Sequence, residues 1–576
     1  MITFEITSDQ KHVKVSDYSL NSEVDYLRSY FKKKSKDGDF NPLVDNGQWD
    51  GMDHFLTKEG TFPVGLWKEL DNFTNLYGVP TKIDGIKNLL NLSINRHNYD
   101  KFVKALYKGI LTDKGEPFFP RDYQYEGAYR ALKYKFCCEE LATSSGKTSI
   151  FYTYNSYLKY IGKINKDNKA LLIVPNVSLV NQTAKAFKQY SNGLVDWNIH
   201  TVGGTKGEFD PEKFAECDML ITTYQSMLNL VPKCLDNKLG NLILKRIKQG
   251  EEEKRQNDIM NYKRKLNQAK IMDLCSNFSV VNIDESHKSR GNSIGDIIES
   301  CTNWEYKLGL SGTLKVDVEY SDFFRMQERT GPLVMTLNAK FLMDNDYSPD
   351  IKIKQVFLEY DRADPTVNEY IGIQTNQQRR KDVKAQFRDA KEFGSRMLEI
   401  EKKIIFESEE RIEFVSRLTK KFKKNTLILF LDVKNQYGFR ISEKIKEWNP
   451  NTFYIDGGVS NEDRELFKDT MEENDDVVIV ASYGTFATGI DLKNVHHIIF
   501  VESTKAEITI RQAVGRGMRF LIGKNVVVIW DIIDNLYGYS VKHSDVRLDI
   551  YNSQEFEMLK PQRVNLIDFK IENPDH

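Results

Sequence analysis

A Ser-rich turn that ends in Gly146-Lys147-Thr148 is the segment whose residue types and spacing could do chemistry most directly. An apolar, helix-compatible run follows it. In such a loop, backbone N–H groups and the positive end of the helix surround phosphate groups. The Lys ammonium reaches the β- and γ-phosphates, and the Thr hydroxyl ligates Mg²⁺. The segment predicts a nucleotide-binding loop whose cofactor-binding residues also include Ser144 and Ser145.

This loop departs from the strict phosphate-loop pattern at two positions. That pattern has Gly five positions before Gly146, where this chain has Leu141. Ser144 stands where many related loops have a second Gly. A Gly-Lys-Thr tripeptide is also common by chance, so an ordinary turn into a helix is the alternative interpretation of the loop taken alone.

A pair of carboxylates supplies the expected partner of the loop. Asp284 and Glu285 follow an apolar, strand-like run, FSVVNI. One carboxylate there can hold Mg²⁺, and the adjacent one can orient and deprotonate an attacking water for γ-phosphate hydrolysis. His287 would couple this site to its surroundings. The hydroxyl-rich tripeptide that begins at Ser311 and ends at Thr313 could hydrogen-bond the carboxylate segment, or it could be a simple turn.

A second group of polar residues lies near the end of the chain. Thr488, Gly489 and Asp491 follow the apolar run DVVIVAS. RQAVGRGMR then places Gln512, Arg516 and Arg519 in what we expect to be one short helix with all three on one face. Guanidinium groups suit a polyphosphate, and one Arg can neutralise charge that develops on the γ-phosphoryl group. A structural ion-pair role for both Arg is the alternative.

Other candidate binding residues stand at strand ends or near turns. Gln124, one helix upstream of the loop, could hydrogen-bond an adenine edge. Trp49 is either a core anchor beneath a hairpin, which the pattern favours, or a base-stacking platform. The loops after two apolar strands gather at the binding edge of an open α/β sheet, and we expect them to contact nucleic acid; their candidate residues are Pro175, Asn176, Thr222, Thr223 and Gln225. Plain polar loops are the alternative for each.

Composition limits the class of protein. The chain has 576 residues, 40% hydrophobic and 29% charged, with a formal net charge of -1. A nucleic-acid partner would therefore need a local positive surface. Six scattered Cys without a CxxC pair argue against zinc sites and disulfides and favour a reducing cytosol. We find neither a signal peptide nor an apolar run of about 20 residues, so we expect a cytoplasmic protein without a membrane span.

Three domains are predicted from the order of the elements. Residues 1–108 form a small α+β module, in which a helix from Ser22 ends in a run of lysines. Residues 109–335 and 336–576 each alternate apolar strands with helices, which predicts two doubly wound parallel sheets with a nucleotide between them. We expect a linker at about 331–350. The dense charge of 240–273 predicts a solvated helical insertion within the first sheet domain.

The set of motifs resembles the superfamily 2 helicases over about residues 118–534. Gln124 matches the glutamine of the Q-motif, and the segment SSGKT matches motif I. The segment PNVSLV matches motif Ia, and ITTYQS matches motif Ib. DESH is similar to the DEAH-type motif II, and SGT, TGIDL and QAVGRGMR match motifs III, V and VI. The resemblance implies two RecA-like domains, ATP and Mg²⁺ as cofactors, and an ATP-driven motor on nucleic acid. It departs at Leu141 and Ser144, and at Ser286, where many members have Ala or Cys.

A narrower resemblance concerns the N-terminal FNPLVDNGQWDG with FPVGL, the spacing of DESH to GLSGTL, and ASYGTFATGI. These segments are similar to the UvsW-type helicases of T-even bacteriophages. That similarity implies an N-terminal DNA-binding domain, remodelling of branched DNA in phage recombination and repair, and a location in the host cytoplasm. The substrate would be branched or duplex DNA, with single-stranded DNA as a further option. We expect the protein to be a monomer. An RNA helicase, a restriction-type DNA translocase and an ATP-gated nucleic-acid clamp are the alternatives.

Overall fold

The computed structural model describes most of the chain. It leaves out residues 37, 39–40, 113–114, 204–208, 231–273, 315–318, 488–491, 503, 522 and 570–576. The predicted insertion at 240–273 and three predicted site residues, Thr488, Gly489 and Asp491, therefore lie outside the described residues. Among the described residues, no helix has the length and apolar character needed to cross a membrane.

The chain divides into two compact units. The first comprises Met1–Leu141 and Gly146–Thr336, and the second comprises Ala142–Ser145 and Leu337–His576. The first unit contains the N-terminal module and one large parallel sheet, and the second contains another. The predicted class, α/β with two doubly wound parallel sheets and a small α+β N-terminal module, is confirmed.

The N-terminal module combines a four-stranded sheet, in the order β5-β2-β1-β6, with a separate two-stranded ribbon, β3-β4. β1 and β2 are antiparallel, as their alternating apolar residues predict, and β6 joins β1 in parallel. The strands are β1 Ile2–Ile6, β2 His12–Tyr18, β3 Lys32–Lys34, β4 Met52–His54, β5 Thr61–Pro63 and β6 Thr81–Asp84; the helices are Asn21–Tyr30, Pro42–Asp45, Glu69–Tyr77 and Arg96–Leu106, with 3₁₀ turns Val64–Leu66 and Ile86–Leu89.

The lysine run after the first helix corrects one prediction. The helix ends at Tyr30, and Lys32–Lys34 form β3 instead of a solvated helix end. Lys33 is buried, with its ammonium 4.4 Å from the centre of the Tyr30 ring and 4.6 Å from that of Phe324. Burial lowers the pKa of Lys33, and the charge of Glu69 opposes that change. The apolar rings and the nearby carboxylate make the buried position tolerable for a lysine.

The first large sheet has the order β13-β7-β12-β11-β8-β10-β9, and its strands from β7 to β9 pair in parallel. The central strands β8 and β10 are buried along their whole length, as expected for a parallel sheet that is covered on both faces. The strands are β7 Phe136–Leu141, β8 Lys169–Val174, β9 Ile199–Val202, β10 Met219–Thr223, β11 Phe278–Asp284, β12 Tyr306–Ser311 and β13 Leu333–Leu337; the helices are Asp122–Tyr134, Lys147–Tyr160, Val177–Gln189, Pro211–Glu216, Tyr224–Leu230, Asn292–Ser300 and Ser321–Thr330, with a 3₁₀ helix at Ser286–Arg290.

The segment predicted as a linker, 331–350, is ordered structure. Leu333–Leu337 forms β13 beside β7, and Ala339–Asp344 is a helix that Asn338 caps. The prediction of a linker was wrong because GPLVM is short and begins with Gly and Pro, which are turn signals. Gly331 has a φ of 104°, a conformation that favours glycine, and the chain enters β13 directly after it.

The second large sheet has the order β16-β17-β15-β18-β19-β14-β20, with every neighbouring pair parallel. Its middle strands are fully buried, as their apolar runs predict. The strands are β14 Asp350–Glu359, β15 Thr426–Phe430, β16 Thr452–Ile455, β17 Val478–Ser482, β18 His497–Phe500, β19 Val526–Asp534 and β20 Glu557–Asn565; the helices are Ala339–Asp344, Pro365–Thr375, Gln377–Lys384, Ala390–Glu407, Glu409–Lys420, Tyr437–Lys446, Asn461–Glu473, Tyr483–Ala487, Glu507–Gly517 and Tyr539–Ser553, with a 3₁₀ turn at Leu566–Phe569.

Candidate functional site

The predicted phosphate loop connects β7 to the helix that begins at Lys147. Gly146 has a φ of 76° and stands at the N-cap of this helix, so the loop turns sharply into the first helical residue. Thr148 lies in the first turn and is half-buried. Backbone N–H groups at a helix N-terminus have no partner within the helix, and they are suited to bind phosphate oxygens.

The structure places the two departures from the strict motif in different surroundings. Leu141 is the last residue of β7 and is fully buried, so this position belongs to the sheet and not to the loop. Its carbonyl oxygen accepts a 3.5 Å hydrogen bond from the Lys147 ammonium. Ser144 has a φ of 71°, the left-handed conformation that Gly adopts without strain. The backbone here takes a path that favours Gly, although the residue is Ser.

Asp284 and Glu285 stand where β11 ends, within the electrostatic influence of Lys147. Burial raises the pKa of Asp284 to about 7; the neighbouring Glu285 carboxylate adds to this rise, and Lys147 opposes it. Burial also acts to raise the pKa of Glu285, but a hydrogen bond with His287 and the charge of Lys147 lower it to about 2. The pair therefore combines one readily protonated carboxyl with one firmly ionised carboxylate.

His287 and two hydroxyl groups connect this carboxylate pair to the end of β12. The His287 Nδ1 atom lies 2.8 Å from Ser311 Oγ, 3.3 Å from Thr313 Oγ1 and 3.2 Å from Glu285 Oε2. Ser311 also donates a 3.3 Å hydrogen bond to Glu285 Oε2. A change in charge at Glu285 would therefore reach the end of β12 directly through Ser311 and also through the His287 ring.

Gln124 lies against the phosphate loop. It is buried, and its Oε1 accepts a 2.9 Å hydrogen bond from the Arg121 backbone N–H, which closes the start of the helix Asp122–Tyr134. A Cβ atom added at Gly146 would collide with the Gln124 amide nitrogen, so the glycine permits this close approach. The structure thus places Gln124 beside the loop, as expected for a residue that reads the nucleotide.

The candidate nucleic-acid residues of the first unit gather at one edge of its sheet. β8 and β10 are parallel neighbours with Val174 opposite Thr223, so their following loops lie side by side. Asn176 caps the helix Val177–Gln189 through a 3.0 Å hydrogen bond to the Leu179 N–H. Pro175 is half-buried and Gln225 is exposed at this edge.

The two threonines at the end of β10 are less available than the sequence suggests. Thr222 is fully buried, and its hydroxyl donates to the Thr223 carbonyl oxygen at 3.2 Å. The Thr223 hydroxyl donates to Ser226 Oγ at 2.9 Å and accepts from the Ser226 N–H. Both side chains therefore shape the loop around the start of the helix Tyr224–Leu230. A contact with nucleic acid through this segment would use Gln225 or backbone groups.

Trp49 lies in the N-terminal module, between the helix Pro42–Asp45 and β4. It is half-buried, and its indole N–H donates a 3.0 Å hydrogen bond to the Met52 carbonyl oxygen. This bond fixes the ring against the turn that leads into β4. The structure does not bring Trp49 together with the Lys147 and Asp284 residues, and a stacking role remains a prediction.

The second unit contains Gln512 and Arg516 on one face of the helix Glu507–Gly517, and both are half-buried. Arg519 lies beyond the end of this helix, which corrects the prediction that one short helix holds all three residues. The helix ends at Gly517 and Met518 caps it, because glycine is a poor helix former and two glycines, Gly515 and Gly517, occupy the last turn.

Sequence reasoning missed one buried group beside the loop, Glu139. This residue is in the middle of β7 and is fully buried, and neither carboxylate oxygen has a hydrogen-bond partner among the described residues. Burial raises the pKa of Glu139 to about 8; Arg130 opposes the rise and Glu126 adds to it. The sequence signal for this buried carboxyl was a glutamate within a strand-like run directly before the phosphate loop.

Comparison with known proteins identifies the family. Residues 118–316 match the family described as the res subunit of type III restriction enzymes, and residues 410–521 match the helicase conserved C-terminal domain. The ATP-dependent DNA helicase UvsW of Enterobacteria phage T4 is 25% identical over 583 residues, which cover 97% of this chain and 98% of that protein. The chain is a superfamily 2 helicase. It hydrolyses ATP, and it is similar to UvsW over nearly its whole length.

Two solved structures are also similar to this chain in fold. The crystal structure of T4 UvsW has a TM-score of 0.43 and 22% identity, covering 98% of this chain and 99% of that one. A fragment of a putative HsdR subunit of a type I restriction enzyme from Vibrio vulnificus YJ016 has a TM-score of 0.49 and 13% identity. It covers 78% of this chain and 70% of that one.

Proposed function

We propose that this helicase uses ATP hydrolysis to remodel branched DNA, by fork regression, branch migration and unwinding of D- or R-loops in phage recombination and repair. The similarity to UvsW along 97% of the chain supports this proposal, because it includes the N-terminal module as well as the two sheets. Local basic residues must provide the affinity for DNA, since the net charge of the chain is only -1.

One observation carries the ATP-dependent part of the proposal. In the described residues, the ammonium of Lys147, the carboxylates of Asp284 and Glu285, and the His287 ring act on one another electrostatically at the C-terminal edge of one parallel sheet. Ligands of open α/β sheets bind at this edge. We assign Lys147 to the β- and γ-phosphates and Glu285 to the attacking water, whose proton an ionised carboxylate can accept.

The residues present fit a magnesium ion. Mg²⁺ takes one or two carboxylates from the protein and its other ligands from phosphate oxygens and water. Asp284 supplies one carboxylate, Thr148 supplies a hydroxyl, and the described residues contain no cluster of three or more His, Cys, Asp or Glu that would hold a metal alone. Bound with ATP, Mg²⁺ would neutralise charge on the phosphate oxygens. Asp284 and Thr148 would hold it, and Gln124, Ser144, Ser145 and Gly146 would surround the nucleotide.

The other assignments follow from the matched motifs. Arg516 and Arg519, with Gln512, would stabilise charge on the γ-phosphoryl group, and Gly489 and Asp491 would belong to the nucleotide site. Strand contacts would come from the segments that include Pro175, Asn176, Thr222, Thr223, Gln225 and Thr488, and from Trp49 in the N-terminal DNA-binding domain. We propose domains at 1–108, 109–335 and 336–576 and a monomer as the working form.

ATP turnover tests this proposal. We would measure turnover of the wild type and of Lys147→Ala with no nucleic acid, single-stranded DNA, duplex DNA, a four-way junction and RNA. We expect the junction to stimulate most and Lys147→Ala to lower kcat by about 10²–10³, because a charged phosphate contact is lost. Greatest stimulation by RNA would favour an RNA helicase, and by linear duplex a restriction-type translocase. Turnover that does not need Lys147 would contradict the assigned site.

A further inference from the structure

The helix Ser321–Thr330 contacts both the N-terminal module and the loop that follows the catalytic carboxylates. On the module side, the Phe324 ring lies 5.3 Å from Phe55, 5.9 Å from Phe31 and 5.9 Å from Tyr30, centre to centre. Phe324 is almost completely buried in the same apolar cluster as the module's own sheet. The helix is therefore part of the module's hydrophobic core.

Polar contacts fix the same helix to the module at two more points. Arg325 donates to both carboxylate oxygens of Asp53, at 2.6 and 3.1 Å. Gln327 donates a 2.7 Å hydrogen bond to Glu69, whose other oxygen accepts from the Tyr30 hydroxyl at 2.6 Å. A bidentate Arg–carboxylate pair sets orientation as well as distance. The module and the helix should consequently move as one body.

On its other side, the helix holds the 3₁₀ helix Ser286–Arg290, which directly follows Glu285. Arg329 donates to the carbonyl oxygens of Ser289 and Gly291, the latter at 3.1 Å. Arg290 pairs with Asp322 at 2.6 Å. Because His287 belongs to this same 3₁₀ helix, a shift of the segment would alter the hydrogen bonds of His287 to Glu285 and Ser311.

Asp322 is shared between the two sides. Its Oδ2 atom lies 2.5 Å from the Lys36 ammonium, in the N-terminal module, and 2.6 Å from the Arg290 guanidinium. The Asp322 side chain is 22% exposed, whereas Lys36 is 40% exposed and open to solvent. Because Asp322 Oδ2 is shared between Lys36 and Arg290, it binds each of these cations less firmly than it would bind either one alone. A phosphate that attracts Lys36 would therefore strengthen the bond between Asp322 and Arg290.

The strand pair that precedes Lys36 also carries basic side chains on the face turned away from the helix. Lys33 and Asp53 are opposite each other in the β3–β4 ribbon and face the helix, through Phe324 and Arg325. Alternation along a strand puts the next opposite pair, Lys32 and His54, on the other face. There a cavity of about 270 Å³ is lined by basic and apolar side chains, including Arg28, Lys32, His54 and Lys58.

We propose that Asp322 is a positioning residue that couples nucleic-acid binding at the N-terminal module to ATP hydrolysis, by exchanging its contact with Lys36 for a stronger one with Arg290. This inference rests on the proposed function, since it requires nucleic acid to stimulate turnover. In the free protein Lys36 weakens the hold of Asp322 on Arg290. When a phosphate engages Lys36, Asp322 holds Arg290 and thereby the segment that carries His287.

Two substitutions with opposite expected effects test this coupling. Lys36→Gln imitates the engaged state, so turnover without nucleic acid should rise severalfold. Asp322→Asn removes the switch, so stimulation by nucleic acid should fall at least about fivefold, the lower range of coupling between sites. KM for ATP and Kd for DNA measured without nucleotide should stay within about twofold for Asp322→Asn, as expected when only the coupling is lost. Asp322→Glu should restore most of the stimulation.

Asp84→Asn is the matched control, because Asp84 forms an exposed ion pair with Lys82, at 2.7 Å, on the same module. It should leave every parameter unchanged. Equal loss of basal and stimulated turnover in Asp322→Asn, with a lower Tm, would show a merely structural role and overturn the inference. Unaltered stimulation in that variant, or unaltered basal turnover in Lys36→Gln, would also overturn it. If no nucleic acid stimulates the wild type, the proposed function fails, and the coupling fails with it.

Discussion

At the scale of single residues, the site depends on how one histidine ring distributes its contacts. The His287 Nδ1 atom is within 3.3 Å of three oxygen atoms, from Glu285, Ser311 and Thr313. A hydrogen bond to an ionised group contributes about 1.5–3 kcal/mol, roughly twice a neutral one. The ionised state of Glu285 therefore determines which contact His287 prefers. The hydrogen bonds of the Ser311 and Thr313 hydroxyls change with that preference.

Ser311→Ala tests this network. The variant loses a hydrogen bond to ionised Glu285 and a neighbour of His287, so we expect kcat for ATP to fall about tenfold, the equivalent of about 1.4 kcal/mol. KM for ATP should change little, since the hydrogen-bond partners of the Ser311 hydroxyl are Glu285, His287 and the Thr313 N–H. Steady-state kinetics measure both. Thr470→Ala, which removes a hydroxyl bonded to its own helix at 2.8 Å, is the control. A wild-type kcat in Ser311→Ala would disprove the role of the hydroxyl.

Glu139→Gln tests the buried carboxyl in β7 through pH. The pKa of Glu139 is about 8 in the folded chain and near 4.5 when unfolded, so the folded state binds the proton more tightly. Stability contributed by this group is complete below pH 4.5 and is lost as the pH rises toward 8, by up to about 1.4 kcal/mol per pH unit. Gln carries no such proton, so the Tm of the variant should exceed that of the wild type increasingly from pH 5 to pH 8.

Thermal unfolding at several pH values gives this comparison. Glu216→Gln changes an exposed carboxylate and serves as the control, with a Tm difference that stays constant across the range. A constant difference in Glu139→Gln as well would mean that the Glu139 carboxyl titrates normally in the folded protein.

At the scale of elements, close packing fixes the helix of Gln124 against the strand before the phosphate loop. A Cβ atom at Gly127 would lie 2.8 Å from Glu139 Oε2 and 3.4 Å from Ile150 Cδ1. Gly127 belongs to the helix Asp122–Tyr134, and Ile150 to the helix that starts at Lys147. Three elements around the nucleotide site therefore meet at one position that has no side chain.

Gly127→Ala should separate these elements slightly. Overpacking costs about 1–3 kcal/mol, so we expect a lower Tm and a higher KM for ATP as Gln124 moves from the loop. Gly484→Ala is the matched control, because no atom of the described residues lies within 4 Å of a Cβ added at this helical glycine. It should leave the KM unchanged and keep or raise the Tm. If both variants behave alike, close approach at Gly127 is not required.

Sequence patterns predicted the strands around the site more reliably than the segments between them. The run from Ala170 to Val174 is apolar throughout, and the run from Phe278 to Ile283 is mostly apolar. Such runs are typical of strands that are buried on both faces of a sheet. Lys32–Lys34, by contrast, form a strand in which Lys33 is buried against Phe324 and near the charge of Glu69, and both of these residues are distant from it in sequence. The helix before Arg519 ends at Gly517, because two glycines in its last turn weaken it although the spacing of the polar residues would continue it.

The candidate site shows the same division between local and distant information. The motif residues Lys147, Asp284 and His287 could be named from spacing, because the chemistry of phosphate binding restricts the residue types. Asp322 could not be named, since its role arises from Lys36 and Arg290, which approach it only after the module packs onto the sheet. Thr222 and Thr223 illustrate the opposite case, because their hydroxyls are occupied within their own loop.

At the scale of the whole molecule, the near-zero net charge means that nucleic-acid binding must depend on small basic areas. The formal charge is -1 over 576 residues. When a protein binds DNA through Lys and Arg contacts, the logarithm of its affinity falls as the logarithm of the salt concentration rises. The slope is about −0.9 for each phosphate that is neutralised. We expect Lys32→Gln to reduce this salt slope by about one phosphate contact without altering preference among DNA sequences. Fluorescence anisotropy over a salt series measures the slope, and an unchanged slope would exclude Lys32 from the contact surface.

The most direct test of the central claim is the conversion of a mobile four-way DNA junction into its branch-migrated duplex products. The wild type should convert the junction only when ATP and Mg²⁺ are present, and Lys147→Ala should bind the junction but leave it intact. Product formed without ATP, or formed equally by Lys147→Ala, would contradict an ATP-driven remodelling motor. Rapid ATP turnover on the junction without any product would contradict the branched-DNA substrate while leaving the ATP site as assigned.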